Sequence, residues 1–340
     1  METVTVAASR VYPVHIGGGL LDRCGELTAA ATAAGRCLVV SDDTVAPLYG
    51  ARVLASLEAA GLQASLYTFP AGEQSKNLTS YGKLLEHMAR ERLAGSDVTG
   101  DMAGFAAATY QRGIDYIQIP TTFLAAADSS VGGKTAVDLE AGKNLVGAFW
   151  QPRAVICDTD TFRTLPEDTF LDGVAETVKH GLIADADFFR FLLEADLDRI
   201  VRRDVEIKAA VVGDDEFERG RRKILNFGHT LGHAMEKLSG YATPHGHAVA
   251  VGMVLAARGA ERLGYSPAGT LATVLEANER LGLPTRCPYG ADALYEAATG
   301  DKKRGGDHID VVVLEEIGRA GTVRLDMAGL RAFTEAAVWI

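Results

Sequence analysis

Short runs of β-branched and apolar residues alternate with longer amphipathic segments through the first half of the chain. The segment before Gly18 reads as two short strands. Further strands are predicted at 36–42, 63–69, 115–120 and 153–158, and amphipathic helices at 45–61 and 78–93. Alternation of strands and helices of these lengths is typical of a mostly parallel, doubly wound α/β sheet.

From about Leu165 onward, helical periodicity dominates. The pattern predicts strands only at 308–316 and 322–326, and helices over 167–183, 185–197, 199–213, 228–239, 246–264, 268–281 and 327–338. We therefore predict an α/β domain with a parallel sheet over residues 1–160 and a mainly α-helical domain over residues 161–340.

The alternation is interrupted just before residue 101. The helix that ends near Leu93 continues through AGSDVTGDMAGF into another helical segment, where a doubly wound sheet needs a strand. Only Val98 and Thr99 have strand character, which is too few residues for an ordinary strand. Two interpretations stay open: a tight turn joins the two helices, or a strand is absent.

Composition narrows the class of protein. The chain has 340 residues, is 47% hydrophobic and carries a net charge of −11 at pH 7. This charge argues against a general nucleic-acid binder but leaves room for a small anionic ligand beside a few local lysines. No apolar run is long enough to span a membrane, and the N-terminus lacks a secretory pattern. With four scattered cysteines and no C-x-x-C pair, the sequence predicts a cytoplasmic enzyme.

Histidines are concentrated in KILNFGHTLGHAMEKLSGYATPHGHAVAVGM (223–253). His229 and His233 are four residues apart on a predicted helix, so they share a face. On spacing alone they form half of a metal site, and His245 or His247 in the following turn can reach the same centre. The alternative is that these histidines satisfy buried helix ends, and spacing does not decide between the two.

A second cluster is LDGVAETVKHGLI (171–183). Glu176 and Lys179 project from one side of the predicted helix, and a surface ion pair with this spacing contributes only about 0.2–0.5 kcal/mol. The apolar flanks, however, indicate a mostly buried helix. A buried carboxylate needs a cation, and a metal ion is one candidate.

The third cluster is IPTTFLAAADSSVGGKTAVDLEAGKNLVGAFWQP (119–152), where we predict a polar, glycine-containing loop after a strand. Such loops at the carboxyl edge of a parallel sheet bind ligands in α/β proteins. The alternative is a solvated connection, which is disfavoured by the polar side chains that follow a buried strand: Asp128, Lys134, Lys143 and Asn144.

Taken together, the three clusters resemble the 3-dehydroquinate synthase family. The resemblance covers nearly the whole chain through YPVHIGGGLL, SDDTVAPLYG, PAGEQSKN, AGFAAATYQRG, PTTFLAAADSSVGGKTAVD, GKNLVGAF, AETVKHGLI, LNFGHTLGHA, HGHAVAVGM and GDKKRGG. It implies a Rossmann-like NAD-binding domain, a helical second domain, an active site in the cleft and a homodimer.

The resemblance also implies a divalent metal, zinc or cobalt, held by Glu176, His229 and His245. This assignment replaces the pairing of His229 with His233 suggested by spacing, and His233 then faces the substrate phosphate. One carboxylate and two imidazoles leave coordination positions open, as a catalytic site requires. Asp128 and Lys179 are implied to contact the same substrate hydroxyls as the metal.

The implied substrate is 3-deoxy-D-arabino-heptulosonate 7-phosphate, an anionic sugar phosphate. Lys208 and Arg222 resemble the residues that hold its carboxylate. The residues implied for its phosphate are Lys134, Asn144, Asn226, Lys302 and Lys303, with Arg112 reaching from the other subunit. Several cations around a doubly charged substrate are physically reasonable.

The implied reaction belongs to the shikimate pathway of aromatic amino-acid biosynthesis. NAD accepts a hydride, phosphate is eliminated, the hydride returns, and ring opening followed by aldol closure gives 3-dehydroquinate. NAD is regenerated in each turnover. The positions that match the NAD site are Asp43, Thr44, Glu73, Lys76, Asp101, Thr121 and Thr122, with Lys143 beside them.

Two departures from the family pattern are visible. About eight residues, a strand and a triple-glycine turn, are missing before VTGDMAGF. Such glycines let the backbone approach a pyrophosphate at a helix N-terminus, so their loss is expected to weaken NAD binding. In addition, His247 stands where the family has glutamate, two residues from His245, and we expect a mild effect on support of the metal ligand.

Three competing readings follow. The first is a related cyclase that makes 2-deoxy-scyllo-inosose or an epi-valiolone from substrates without a carboxylate, which Lys208 and Arg222 disfavour. The second is a metal-dependent polyol dehydrogenase, which would release NADH. The third is a non-catalytic homologue, explained by the missing glycine turn.

Overall fold

The structure, a computed structural model, describes residues 1–91, 97–98, 100–192, 196–300 and 307–338. The chain forms two compact units. Unit one contains Met1–Thr164 and Lys208–Phe217, and unit two contains Leu165–Ile207 and Glu218–Ile340. In the part of the chain that is described, no helix has both the length and the apolar character needed to cross a membrane.

Unit one is built on a seven-stranded sheet. Its strands are β1 (Glu2–Ala7), β2 (Val11–Gly17), β3 (Arg36–Asp42), β4 (Gln63–Phe69), β5 (Asp97–Val98), β6 (Tyr116–Gln118) and β9 (Ala154–Asp158), in the order β1-β2-β9-β6-β5-β3-β4. Only the β1–β2 pair is antiparallel; the other pairs are parallel. The helices of this unit are α1 (Cys24–Ala31), α2 (Ala51–Ala59), α3 (Leu78–Arg90) and α4 (Gly100–Thr109).

Helices cover both faces of this sheet, and successive side chains of β3 pack into the core on alternate faces. In β3, Val39 belongs to the core cluster that includes residues of α1 and α2. Its neighbours Leu38 and Val40 belong to the cluster that includes residues of α3 and α4. Because successive strand side chains point to opposite faces, continuous apolar runs such as CLVV are required where helices pack on both sides.

Strand β5 corrects one prediction. Both interpretations of the interruption before residue 101, a tight turn without a strand and an absent strand, are wrong. Two residues are enough to connect the sheet, because Val98 pairs with Val39 of β3 on one side and with Ile117 of β6 on the other. Short pairings of this kind persist because the neighbouring strands supply both hydrogen-bonding edges.

A hairpin corrects a second prediction. Much of the segment predicted as a loop forms β7 (Lys134–Leu139) and β8 (Gly142–Phe149), an antiparallel pair. The hairpin packs closely on α4, since a Cβ at Gly104 would lie 2.5 Å from Thr135 Cγ2. The polar composition of this segment hid its strand character from the sequence pattern.

Unit two is mainly helical. Its helices are α5 (Glu167–Ala184), α6 (Ala186–Phe191), the first part of α7 (Leu197–Asp214), α8 (His229–Leu238), α9 (His245–Arg262), α10 (Thr270–Arg280), α11 (Ala291–Gly300) and α12 (Met327–Ala337), with a hairpin of β10 (His308–Glu316) and β11 (Arg319–Asp326). The sheet unit and the helical unit confirm the predicted fold class. Helix α11 was not predicted, and α6 is shorter than the predicted 185–197.

Short 3₁₀ and π turns connect these elements. They lie at Leu20–Arg23, Ala46–Gly50, Glu73–Ser75, Tyr110–Arg112, Ala125–Ser129, Thr159–Thr164 and Arg221–Asn226. Helices α8 and α9 cross at very short distance. A Cβ at Gly252 would lie only 2.1 Å from the carbonyl oxygen of Gly228, so the crossing leaves no room for a side chain there. This close crossing sets the spacing between the N-terminal residues of the two helices.

Candidate functional site

Helix α5 buries a carboxylate and an ammonium on the same side. Glu176 is 0% exposed and Lys179 1%, and Lys179 Nζ donates a hydrogen bond to Glu176 Oε2. The prediction of a buried helix around Glu176 is confirmed. Charges at this depth are stable only with partners, because desolvation strongly disfavours an isolated ion.

His229, the first residue of α8, approaches Glu176 from a second helix. Its Nδ1 lies 3.1 Å from the carbonyl oxygen of Phe227. A carbonyl only accepts, so Nδ1 donates and Nε2 keeps the lone pair. Nε2 is 3.6 Å from Glu176 Oε1. Burial, followed by the charge of Lys179, lowers the pKa of His229 well below its usual range, which favours the neutral imidazole that binds metals.

His245, the first residue of α9, comes from a third helix. Its Nε2 is 3.4 Å from Glu176 Oε1, and its Nδ1 is 3.4 Å from Glu236 Oε2. Burial lowers the pKa of His245, but hydrogen bonds and charge from Glu176 and Glu236 outweigh burial and raise the pKa to about 10. These negative surroundings favour a positive charge at this position, either a proton or a metal ion.

Glu176, His229 and His245 form one group of potential metal ligands, with ligand atoms within 4.8 Å of one another. Zinc binds such atoms at about 2.0–2.2 Å, so neighbouring ligand atoms of a tetrahedral site lie about 3.3 Å apart. The measured nitrogen–oxygen separations of 3.6 and 3.4 Å are close to this value. The donor set and its spacing therefore fit zinc or cobalt and leave coordination positions for a further ligand.

His233 belongs to a different group. Its Nε2 lies 3.8 Å from Glu236 Oε2, and its side chain is 58% exposed, in contrast to the buried His229. The two rings are 5.1 Å apart and perpendicular. The geometry thus groups His229 with Glu176 and His245, as the resemblance implies, and the role of His233 toward a phosphate stays a prediction.

His247 contacts the helix that carries Glu176. Its backbone N–H and its Nδ1 lie 3.1 and 2.9 Å from Asp172 Oδ1. Helices α5 and α9 are close here, since a Cβ at Gly246 would lie 2.3 Å from Asp172 Cα. His247 therefore joins the two helices that present Glu176 and His245, a contact that the sequence pattern did not show.

The residues predicted for substrate binding are only partly brought together. Within unit one, Lys208 Nζ lies 2.7 Å from Asp128 Oδ1. Within unit two, Arg222 is 1% exposed in its 3₁₀ turn, and Asn226 Nδ2 donates to Glu218 Oε1 at 2.5 Å.

The remaining predicted substrate residues lie at the surface or beyond the description. Lys134 and Asn144 are exposed on the β7–β8 hairpin, and Arg112 is exposed after α4. Lys302 and Lys303 lie outside the described residues. The roles of all these residues stay predictions.

A second candidate site is a cleft of about 270 Å³ in unit one, at the carboxyl ends of β3 and β4 and the N-terminus of α4. Its lining includes four residues predicted for the cofactor: Glu73, Lys76, Asp101 and Thr121. Lys76 Nζ is 2.9 Å from Asp101 Oδ2 and 3.7 Å from Glu73 Oε1. Burial lowers the pKa of Lys76, but Asp101 and Glu73 outweigh it and raise the pKa, so Lys76 is a cation in this cleft.

The other predicted cofactor residues border this cleft or support it. Lys143 Nζ lies 3.4 Å from Glu73 Oε1. Asp43 Oδ1 accepts from the backbone N–H of Ala71 at 2.8 Å, and exposed Thr44 follows it. Thr122 Oγ1 accepts from the N–H of Ala125 and stabilises a turn start. Asp42 lines the cleft and was missed by the sequence analysis, although it is the last residue of a predicted strand.

Comparison with known families decides the relationship. The family model of the 3-dehydroquinate synthase N-terminal region matches residues 66–172, and that of the C-terminal region matches residues 173–304. The chain belongs to the 3-dehydroquinate synthase family. This membership confirms the resemblance read from the motifs.

Curated relatives of the family match over nearly the full length of the chain. The 3-dehydroquinate synthase of Caulobacter vibrioides is 43% identical, covering 98% of both chains. That of Xylella fastidiosa strain M23 is 44% identical, covering 97% of both.

Solved structures of related cyclases share the fold. A 2-deoxy-scyllo-inosose synthase complexed with carbaglucose-6-phosphate, NAD⁺ and Co²⁺ is 25% identical, with a TM-score of 0.86 over 98% of this chain and 99% of that one. A 2-epi-5-epi-valiolone synthase from Streptomyces hygroscopicus subsp. jinggangensis 5008, with NAD⁺ and Zn²⁺ bound, is 24% identical, with a TM-score of 0.84 over 98% of both chains.

Proposed function

We propose that the protein is a 3-dehydroquinate synthase, which converts 3-deoxy-D-arabino-heptulosonate 7-phosphate to 3-dehydroquinate and phosphate. The observation that carries this proposal is the group of Glu176, His229 and His245, in a chain that is 43% identical to a curated synthase over 98% of both chains. The enzyme is a phosphate-eliminating carbon–oxygen lyase of the shikimate pathway.

The proposed cofactors are NAD and one divalent metal, zinc or cobalt. When bound, NAD supplies a reversible hydride acceptor, and the metal polarises a substrate hydroxyl as a Lewis acid. Glu176, His229 and His245 hold the metal. We assign NAD to the cleft beside Lys76. The cleft is lined by this cation, by an acidic strand end and by the N-terminus of the ten-residue helix α4. Helix N-termini of this kind bind phosphate groups.

The remaining side chains bind and orient the substrate. Lys179, buried against Glu176, places an ammonium donor beside the metal ligands. Lys208 and Arg222 are nearly buried cations that suit a carboxylate. Lys134, Asn144, Asn226 and His233 are assigned to the phosphate, together with Lys302, Lys303 and Arg112. Bound NAD would take up the hydride of a substrate hydroxyl and later give it back, and the temporary ketone would make the adjacent C–H acidic enough for phosphate elimination. Ring opening and aldol closure would complete the reaction.

We further propose that the enzyme acts in the cytoplasm as a homodimer. The four scattered cysteines, which include no C-x-x-C pair, support the compartment. The dimer rests on the resemblance, in which Arg112 reaches the site of the other subunit. Sedimentation of the purified protein tests the dimer directly.

Phosphate release tests the proposed reaction. Purified protein with NAD and zinc is given 3-deoxy-D-arabino-heptulosonate 7-phosphate or a sugar phosphate without a carboxylate, such as glucose 6-phosphate, with Glu176→Ala as control. Release only from the first substrate, lost in the variant, is expected. Release from glucose 6-phosphate would favour the 2-deoxy-scyllo-inosose type of cyclase. A folded, metal-loaded protein that releases no phosphate would favour a non-catalytic homologue, with the missing glycine turn as the explanation.

A further inference from the structure

Glu236 is a buried carboxylate that the proposed reaction does not use. It lies on α8, is 5% exposed, and has no counterpart among the residues assigned to substrate, NAD or metal. Glu236 follows His229 by seven residues and His233 by three, so all three side chains share a face of the helix. A buried carboxylate on the face that carries a metal ligand needs a positive or donating partner.

The partner that the geometry supplies is His245 of α9. Glu236 Oε2 lies 3.4 Å from His245 Nδ1, and the other ring nitrogen, Nε2, lies 3.4 Å from Glu176 Oε1. A carboxylate beside Nδ1 keeps the proton on that nitrogen, because only a donor pairs with it. Nε2 is then the nitrogen that faces Glu176, where a metal ion would replace its proton.

His229 has the same arrangement with a different acceptor. Its Nδ1 lies 3.1 Å from the Phe227 carbonyl oxygen, and its Nε2 lies 3.6 Å from Glu176 Oε1. Both imidazoles therefore direct Nε2 toward one carboxylate oxygen, and each has an acceptor behind Nδ1. The acceptor behind His245 is an anion, which makes the imidazole a stronger electron donor than a carbonyl does.

The backbone around Glu236 is held in place. Its carbonyl oxygen accepts from Tyr241 N–H at 2.7 Å and from Ser239 Oγ at 2.9 Å. Ser239 Oγ in turn accepts from the N–H of Thr243 at 3.1 Å. These hydrogen bonds fix the connection between α8 and α9 at Glu236, whose side chain contacts His245, the first residue of α9.

We propose that Glu236 is a positioning residue, which fixes the tautomer and orientation of His245 so that Nε2 binds the metal. The inference rests on the proposed metal centre. Acceptors of this kind typically change metal affinity 10–100-fold when they are removed. The proposed metal ligands are Glu176, His229 and His245, and Glu236 acts on the metal only through His245.

The test is metal binding, measured apart from activity. Zinc affinity is determined by competition with a chromophoric chelator, and the visible spectrum of the cobalt-loaded protein reports ligand geometry. Glu236→Leu, which removes the acceptor, is expected to weaken zinc binding about 10–100-fold and to change the cobalt spectrum. Glu236→Gln keeps an acceptor but not the charge, so about 10-fold weaker binding is expected, the low end of such effects.

Glu261 provides a matched control on α9. Its Oε2 accepts from the N–H of Leu271 at 2.8 Å, and it lies at the opposite end of the helix from His245. Glu261→Leu is expected to leave zinc affinity and the cobalt spectrum unchanged.

The outcomes separate this inference from the proposed function. If wild-type protein binds no zinc, the metal centre itself is refuted. If wild type binds zinc and both Glu236 variants stay within twofold of it, the positioning role is refuted and the centre survives. Should Glu236→Leu not fold, Glu236→Gln alone decides: a change within twofold overturns the proposal.

Discussion

At the residue scale, the candidate centre depends on a few buried polar side chains whose partners come from other helices. Glu176 and His229 could be singled out from the sequence because apolar flanks and the histidine cluster mark them. Glu236 and Asp172 could not, because each acts through a contact between helices that are distant in sequence, Glu236 with His245 and Asp172 with His247. Periodicity shows which residues share a face, but not which faces meet.

The buried ion pair of Glu176 and Lys179 predicts a stability effect that is separate from catalysis. Glu176→Gln leaves the Lys179 ammonium buried beside an uncharged amide, and breaking such a pair costs about 3–5 kcal/mol of unfolding free energy. Adding Lys179→Met removes the stranded charge and is expected to restore most of the loss. Urea unfolding of metal-free protein, followed by circular dichroism, measures both values; equal losses in the single and double variants would contradict the pairing.

At the element scale, strong periodicity allowed the long helices to be predicted closely, as for α5 and α9. Strand β5 was missed because pairing with two neighbours, not local composition, makes two residues a strand. The β7–β8 hairpin was read as a loop because its stability comes from packing on α4 and not from an apolar run. In both cases tertiary contacts override local preference.

The crossing of α8 and α9 predicts opposite effects for two glycines. Gly252→Ala puts a Cβ 2.1 Å from the Gly228 carbonyl oxygen, and overpacking of this kind destabilises by about 1–3 kcal/mol or more. Zinc affinity should fall as well, because the two helices present His229 and His245. Gly82→Ala on α3 is the matched control. A Cβ there meets nothing within 4 Å, so a gain of about 0.5–1 kcal/mol is expected from helix propensity.

Thermal unfolding of the two glycine variants, with and without zinc, checks this prediction. Equal stability of Gly252→Ala and Gly82→Ala would show that the helices do not cross closely.

The start of α6 predicts a pH-dependent contribution to stability. Asp185 accepts from the N–H groups of Asp187 and Phe188 and pairs with Arg203. Burial raises the pKa of Asp185, but these contacts outweigh burial and lower it. A carboxyl group whose pKa is lowered by folding stabilises the fold at pH values above its pKa in the unfolded chain, about 3.9. This stabilisation is lost as the pH falls through the pKa in the folded chain.

Two substitutions at Asp185 separate these contacts. Asp185→Ala should cost about 1–2 kcal/mol at pH 7, because it removes the helix cap and the ion pair. Asp185→Asn keeps a capping oxygen and should cost less. Melting temperatures between pH 7 and about pH 2 test this, because the folded pKa lies below the unfolded one. The difference from wild type should shrink at the acidic end, and a constant difference would rule out the carboxylate as its source.

At the scale of the whole molecule, the described residues place the proposed metal ligands in unit two and the cleft with Lys76 in unit one. The fold class followed from the change of periodicity near residue 165. The family followed from motifs spread over the whole chain, and comparison confirmed it.

Metal removal is predicted to lower the stability of the folded chain. A ligand that binds only the folded state adds about 4 kcal/mol to the free energy of unfolding when its free concentration is a thousand times its dissociation constant. A chelator should therefore lower the melting temperature of wild type by several degrees, and zinc should restore it. Glu176→Ala should melt at the same temperature with and without zinc; a zinc-dependent rise in that variant would place the metal elsewhere.

The measurement that tests the central claim most directly is the number of product molecules formed per NAD. The protein is incubated with zinc, excess 3-deoxy-D-arabino-heptulosonate 7-phosphate and substoichiometric NAD, while product is followed by NMR and NADH by absorbance. We predict that 3-dehydroquinate and phosphate form together, in large excess over NAD, without accumulation of NADH. Accumulation of NADH with turnover limited to the NAD supplied would indicate a dehydrogenase, and no product from folded, zinc-loaded protein would contradict the synthase assignment.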